Sequence, residues 1–240
     1  MPSRIHYSLI GSILGSYPLK NAIVYGTGLM SAQRAANIRH KPRKIISVRG
    51  PRTRNALLAH GIDCPEIYGD PALLLPVFYV PASAKSNHIS IVPHHASMEI
   101  PCPAISELTK KYGCRLVDMR RYDKWTDVVD SIALSQFVIS ESLHGLIVAE
   151  TYGVPCVWVE LVDHSWADDW GFKFTDFYES IGKFSMKSMK LYENFSFDDI
   201  IREKDNWKQG KINYAEMLSL FPFEMKAEFL PCVKKFLPSS

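Results

Sequence analysis

Short apolar runs recur along this chain. Each is closed by glycine, serine or proline before a segment of helical spacing begins. Tyr7–Leu14, Ala22–Tyr25, Lys44–Val48, Glu66–Tyr68, Ile89–Val92, Arg115–Val117 and Val157–Val159 read as strands, as do Phe137, Val138 and Ile139. Several are apolar on both faces, the mark of a parallel strand covered by helices on each side. Between the strands, Pro51 opens a helix that Gly61 stops, and Ile105–Tyr112 and Thr126–Leu134 are further helices. In the last of these, Val128, Val129, Ile132, Ala133 and Leu134 form one buried face. Alternation of strand and helix predicts an α/β fold with parallel sheets flanked by helices.

The repeat breaks once. Pro76–Asn87, with Pro76, Pro81, Ser83 and Ser86, has no period and reads as a linker. It separates two Rossmann-like lobes, residues 1–80 and 88–182. Residues 183–240 read as helices packing back across them. The last, Phe223–Leu237, mixes Phe229, Leu230, Val233, Phe236 and Leu237 with Lys226, Lys234 and Lys235. That mixture suits packing on the first lobe, and also a peripheral place on an acidic membrane surface.

Composition narrows the picture. With 47% hydrophobic residues among 240, the chain buries a real core. A net charge of +3 gives no footprint for nucleic acid. Cys64, Cys102, Cys114, Cys156 and Cys232 are scattered without CxxC spacing, which argues against a zinc site or disulfide framework and for a reducing, cytoplasmic setting. Arg4 followed by Tyr7–Leu14 mimics a signal peptide, but Ser8, Gly11 and Ser12 interrupt the run and no clean cleavage site follows. No run approaches the ~20 apolar residues of a membrane-spanning helix.

The chemistry gathers at strand ends. Gln136–Glu160 reads as strand, turn, helix and strand, with Ser142, His144 and Gly145 at the turn, where open α/β sheets bind ligands. Gly26-Thr27-Gly28 closes the second strand and offers amides to an anion, or simply makes a tight turn. Arg49, Arg52 and Arg54 follow the third strand; Arg49 is expected to face a cleft, Arg52 and Arg54 to be solvated or paired. Asp70 suits a substrate hydroxyl or a local turn. His94 and His95 end another strand without a metal-ligand partner at convincing spacing, which favours substrate contact over metal. Lys173 stands between Phe172 and Phe174, held toward a site or snorkelling at the surface.

Taken in order, HYSLIGSIL, VYGTGLM, SVRGPRTRNAL, YGDPALLLP, IVPHH, DVVDSIALSQFVISESLHGLIVAETYGVP and FKFTDFYESIG make the chain resemble the polysaccharide pyruvyl transferase family over about residues 6–182. The resemblance implies a two-lobed arrangement like that of GT-B glycosyltransferases. It implies transfer of the enolpyruvyl unit of phosphoenolpyruvate to a sugar of a polysaccharide or lipid-linked oligosaccharide, with no cofactor and no metal. It further implies His144 as the acid, with Arg49 and Lys173 around phosphoenolpyruvate. Many relatives carry Arg-Leu-His-Gly at the turn, whereas here Ser142 precedes Leu143-His144-Gly145. The first lobe is expected to be shortened, because relatives begin with a further strand–helix segment. Other readings are a nucleotide-sugar glycosyltransferase, with Glu150 or Glu160 on the sugar or ribose, and a non-catalytic relative in glycan assembly. A Ser–His–Asp acyl transferase lacks the Gly-x-Ser-x-Gly elbow around Ser140 or Ser142. Oligomeric state is open.

Overall fold

The computed structural model describes residues 4–82, 84–167, 169–192 and 194–237; Ser83 of the linker lies outside them. In chain order the elements are β1 (His6–Ser8), β2 (Ala22–Tyr25), β3 (Lys44–Ser47), α1 (Pro51–Ala59), α2 (Leu75–Phe78), β4 (Ile89–Val92), α3 (Pro103–Lys110), β5 (Arg115–Leu116), α4 (Trp125–Ala133), β6 (Phe137–Ser140), α5 (Leu143–Thr151), β7 (Cys156–Glu160), α6 (Phe172–Ser180), β8 (Met189–Lys190), α7 (Phe197–Asn206), α8 (Tyr214–Ser219) and α9 (Leu230–Lys234). They fall into two compact units. The first holds residues 1–78, 167–186 and 210–240; the second holds 79–166 and 187–209. The fold is α/β, with parallel sheets flanked by helices. No helix among the described residues is long and apolar enough to cross a membrane.

In the first unit β1, β2 and β3 form a parallel sheet in that order. Leu14, Val24, Leu29, Val48 and Leu57 fill its core, each at most 1% exposed. Burying such a side chain stabilises by about 1.5–3 kcal/mol. The first strand is shorter than the apolar run predicts. Gly11 turns the chain at a φ of 105°, so Leu14 rejoins only through a bridge to Leu29. Glu66–Tyr68 likewise contributes one bridge, from Tyr68 to Val48. The predicted helix Phe223–Leu237 shrinks to a 3-10 turn, Ala227–Phe229, and α9. Pro231 has no N–H to donate and fits only the first helical turn, so the longer helix cannot run through it.

One charge organises this unit. Arg49 follows β3 and is fully buried. Its Nε and Nη2 donate to Asp176 Oδ2 at 3.0 and 2.9 Å, Nη1 to Ser12 Oγ at 2.5 Å and Nη2 to the Leu29 carbonyl at 2.7 Å. Asp176 also accepts from the Thr53 amide and hydroxyl at the start of α1, at 2.8 and 2.7 Å. The carboxylate comes from α6, which explains why residues 167–186 belong to this unit although the sequence grouped them with the second lobe. Gly50 permits the approach, since a Cβ there would collide with the Asp176 carbonyl.

In the second unit the order is β5-β4-β6-β7-β8, all parallel. Every residue of β6 is buried, as its apolar run requires. α5 presents apolar residues on all sides and is buried from Gly145 to Thr151. A helix of this kind belongs inside a protein rather than on its surface. β8 is a correction: residues from 185 onward read as helical, yet Met189 and Lys190 pair with Val159 and Glu160 before α7 begins. Two residues carry too little pattern to register as a strand.

Removing one partner of a buried ion pair strands the other, at a cost of about 3–5 kcal/mol. Arg49→Met is therefore expected to lower unfolding free energy by that amount in urea denaturation. The double variant Arg49→Met/Asp176→Leu should recover part of the loss. Equal stability of Arg49→Met and the unsubstituted protein would refute the assignment.

Candidate active site at the carboxyl edge of the second sheet

β4, β6 and β7 end side by side, with Val92 opposite Ser140 and Ser140 opposite Trp158. The backbone leaves this edge through a compact hydrogen-bonded turn. The amides of Glu141 and Ser142 donate to the Val92 carbonyl at 3.0 and 3.3 Å. Ser140, fully buried, donates to the Ser142 carbonyl at 2.9 Å and accepts from the Ser142 amide at 3.1 Å.

Directly after β6, Glu141 turns inward and has no solvent exposure. Its Oε2 accepts the His94 amide at 3.1 Å, and its Oε1 accepts the Leu161 amide at 2.8 Å and His164 Nε2 at 2.8 Å. One carboxylate thus joins the loops that follow β4 and β7. A carboxylate accepts but cannot donate, so Nε2 of His164 carries the hydrogen. Burial is the largest influence on Glu141 and pushes its pKa up. His164, the Ser97 hydroxyl and the amides of Leu161 and His94 together outweigh it, and the group stays below the usual carboxylate range. Nearby Cys102 is pushed up, first by burial and further by the charge of Glu141. Asp163 is held down by the amide and hydroxyl of Ser165.

Rings gather around this carboxylate. The His94 ring lies 4.1 Å from that of His95 and 6.3 Å, edge-on, from that of His164. His94 Nδ1 accepts the Ala96 amide at 3.3 Å, which places a neutral ring's hydrogen on Nε2. His164 in turn lies 6.2 Å from Trp166.

His144 sits in the first turn of α5, partly buried. Ser142 is the N-cap residue, yet its hydroxyl makes no capping bond and instead donates to Met119 Sδ at 3.2 Å. Nothing from that side chain covers the first-turn amides, which carry partial positive charge. Gly145 has a packing role. A Cβ there would collide with Ser140 Oγ and lie 3.0 Å from Val92 Cγ1. Its absence lets α5 start close against β4 and β6.

The remaining predicted residues belong to the first unit. Arg49 does not face a cleft: Asp176 neutralises it in the interior, as described above. Gly26 and Gly28 are packed turns. A Cβ on Gly26 would collide with the Pro71 ring, and one on Gly28 would lie 2.5 Å from Arg49 Cζ. Thr27, fully buried, donates to the Gly11 carbonyl at 2.6 Å. Asp70 Oδ1 caps the following turn by accepting the Ala72 amide at 3.0 Å. Arg52 pairs with Glu179 at 2.7 Å on a half-exposed face. Lys173 is 4% exposed, so it is no snorkelling surface lysine, and its ammonium lies 4.2 Å from the Trp170 ring centroid and 5.1 Å from that of Phe174.

Sequence reasoning brought His94, His95, Ser142, His144 and Gly145 to this edge but missed Glu141 and His164. Glu141 lies between two serines at the turn, and His164 in a polar, aromatic-rich loop, where neither stands out. The available signal was a charged residue one serine beyond an apolar run, where a carboxylate must find donors. Among the described residues no cluster of three or more His, Cys, Asp or Glu side chains is arranged to hold a metal ion.

Known proteins bear on this geometry. The profile of the family described as polysaccharide pyruvyl transferase matches residues 3–164, which span β1 to the His164 loop. The uncharacterized protein L143 of Acanthamoeba polyphaga mimivirus is 26% identical over 182 residues, which make up 74% of this chain and 60% of that protein. The chain thus spans about 60% of the length of this curated relative. No solved structure matches.

The depressed pKa of Glu141 has a consequence for stability. A folded value below the unfolded one stabilises above the unfolded pKa of about 4.3, and the contribution vanishes as pH falls through the folded value. Glu141→Gln, which puts an amide where donors converge, is expected to cost about 1–3 kcal/mol at pH 7. Urea denaturation should show the gap closing as pH falls below 4. A gap that stays constant with pH would contradict the ionised, donor-held carboxylate.

Proposed function

This chain belongs to the polysaccharide pyruvyl transferase family, and from that premise we propose that it transfers the enolpyruvyl group of phosphoenolpyruvate to a sugar of a polysaccharide or its lipid-linked precursor, closing a pyruvate ketal and releasing phosphate. The observation that carries the reading is the place of His144. It stands in the first turn of α5, beyond the carboxyl end of β6, inside the matched span.

The chemistry follows from the donor. His144 protonates C3 of the enol phosphate, a task suited to imidazole, whose unperturbed pKa lies near neutrality. C2 becomes oxocarbenium-like, and a sugar hydroxyl adds there and gives up its proton. The C2–O bond to phosphate breaks, and a second hydroxyl of the same sugar attacks C2 to close the ring. Of the two hydroxyl protons released, one replaces the proton lost by His144 and the other leaves with phosphate. The first-turn amides of α5 meet the anion without a guanidinium at the turn. Arg49 has no part in this scheme, because Asp176 already neutralises it.

His144→Ala is expected to reduce phosphate release from phosphoenolpyruvate, with a glycan acceptor present, by about 10²–10⁴-fold. Phosphoenolpyruvate should raise the melting temperature, while UDP and GDP should not. Stabilisation by the nucleotides alone would overturn the reading in favour of a nucleotide-sugar glycosyltransferase. Unchanged turnover in His144→Ala would remove the acid assignment.

A further inference from the structure

Trp166 is 73% exposed, yet the loop that carries it is tied to the buried Glu141. That loop leaves β7 at Leu161, whose amide is held by the buried Glu141. Three residues on, His164 is pinned to the same carboxylate and is 3% exposed. Asp163 then accepts from the Ser165 amide and hydroxyl, both at 2.9 Å, and turns the chain so that Trp166 faces outward. His95, His94, His164 and Trp166 therefore form a row of rings, with centroid spacings of 4.1, 6.3 and 6.2 Å. The row runs from one exposed end, His95, to the other, Trp166, and its middle is fixed by Glu141.

What sets this indole apart is that its open face lies beside an imidazole held in place by a buried carboxylate. We propose that this row is the acceptor subsite, a saccharide platform on which Trp166 stacks against the C–H face of a neutral sugar ring while His94 and His95 address hydroxyls further along the glycan. The inference rests on the pyruvyl-transfer reading for the acceptor's role but not for saccharide binding itself. The chemistry selects the ligand. A pyranose presents polarised C–H groups to the negative face of an aromatic ring, and its hydroxyls both donate and accept. The Nε2–H of the His94 ring is a donor, and the exposed His95 ring carries both a donor and an acceptor. Two carboxylates stand beside the row, Glu141 on His164 and Asp163 on the Ser165 amide and hydroxyl. That balance favours a neutral glycan over a second anion. Glu141 is then a positioning residue, acting on the acceptor through His164 and the Leu161 amide.

The test uses the full chain with phosphoenolpyruvate and a neutral oligosaccharide acceptor. Trp166→Ala should raise the acceptor KM about three- to tenfold, the scale of one lost aromatic partner, with the KM for phosphoenolpyruvate unchanged. Trp166→Phe should restore most of the loss. Glu141→Gln should raise the same KM, and combining it with Trp166→Ala should give less than the product of the two effects, since the anchor works through the platform. A rise in both KM values by one factor, an unchanged acceptor KM, or loss of binding to anionic vesicles in its place would overturn the proposal. If the unsubstituted protein releases no phosphate, the pyruvyl-transfer reading fails on its own. Saturation-transfer NMR with lactose, cellobiose and maltose then decides the platform: signals lost in Trp166→Ala support it, and no transfer to the unsubstituted protein overturns it.

Discussion

A charge withdrawn from water must find its partners inside the protein, and each unit of this chain is arranged around one such charge. In the first unit it is Arg49, whose guanidinium is satisfied by Asp176, Ser12 and the Leu29 carbonyl. In the second it is Glu141, satisfied by two backbone amides and His164. Desolvating either group costs several kcal/mol, so neither is tolerated unless every contributing segment is in place. The partners come from far along the chain. Asp176 is 127 residues from Arg49, and His164 is 23 from Glu141. These two charges therefore fix loops that hydrophobic packing alone would leave free to shift, since hydrophobic burial has no direction.

The same distance explains what the sequence reveals and what it hides. β2, β4, β6 and β7 are legible because a covered parallel strand needs a continuous apolar run, and that requirement is local. The place of His144 is legible because the carboxyl edge of such a sheet follows from strand direction. Arg49 reads as cleft-facing because an arginine at a strand tip looks the same whether or not a carboxylate awaits it. Only the packing of α6 against α1 supplies that carboxylate. Glu141 and His164 become a pair only once β6 and β7 lie side by side. β8 escapes notice because two residues do not establish a period.

Ser142 gains meaning from this setting. A guanidinium at that turn would bring a full positive charge to any anion bound there. The present turn instead keeps the first-turn amides of α5 clear of the Ser142 hydroxyl, which is directed to Met119. Amide donors on a rigid helix need no rearrangement to meet an anion, and preorganised dipoles in a partly buried setting are effective for that reason. On the proposed reading the amides, rather than a cation at position 142, meet the anion, so α5 must stay in place.

Gly145 secures that placement. α5 carries apolar residues all round, so packing could seat it at more than one depth against the sheet. Lack of a Cβ at Gly145 lets its first turn settle against Ser140 and Val92, at the ends of β6 and β4. The depth of His144 is then set by backbone contact rather than by a flexible side chain. A misplacement of about 1 Å at a reacting group can cost about 10²-fold in rate. A glycine with no chemistry of its own thus bears directly on His144, the residue before it, by fixing the helix that carries both.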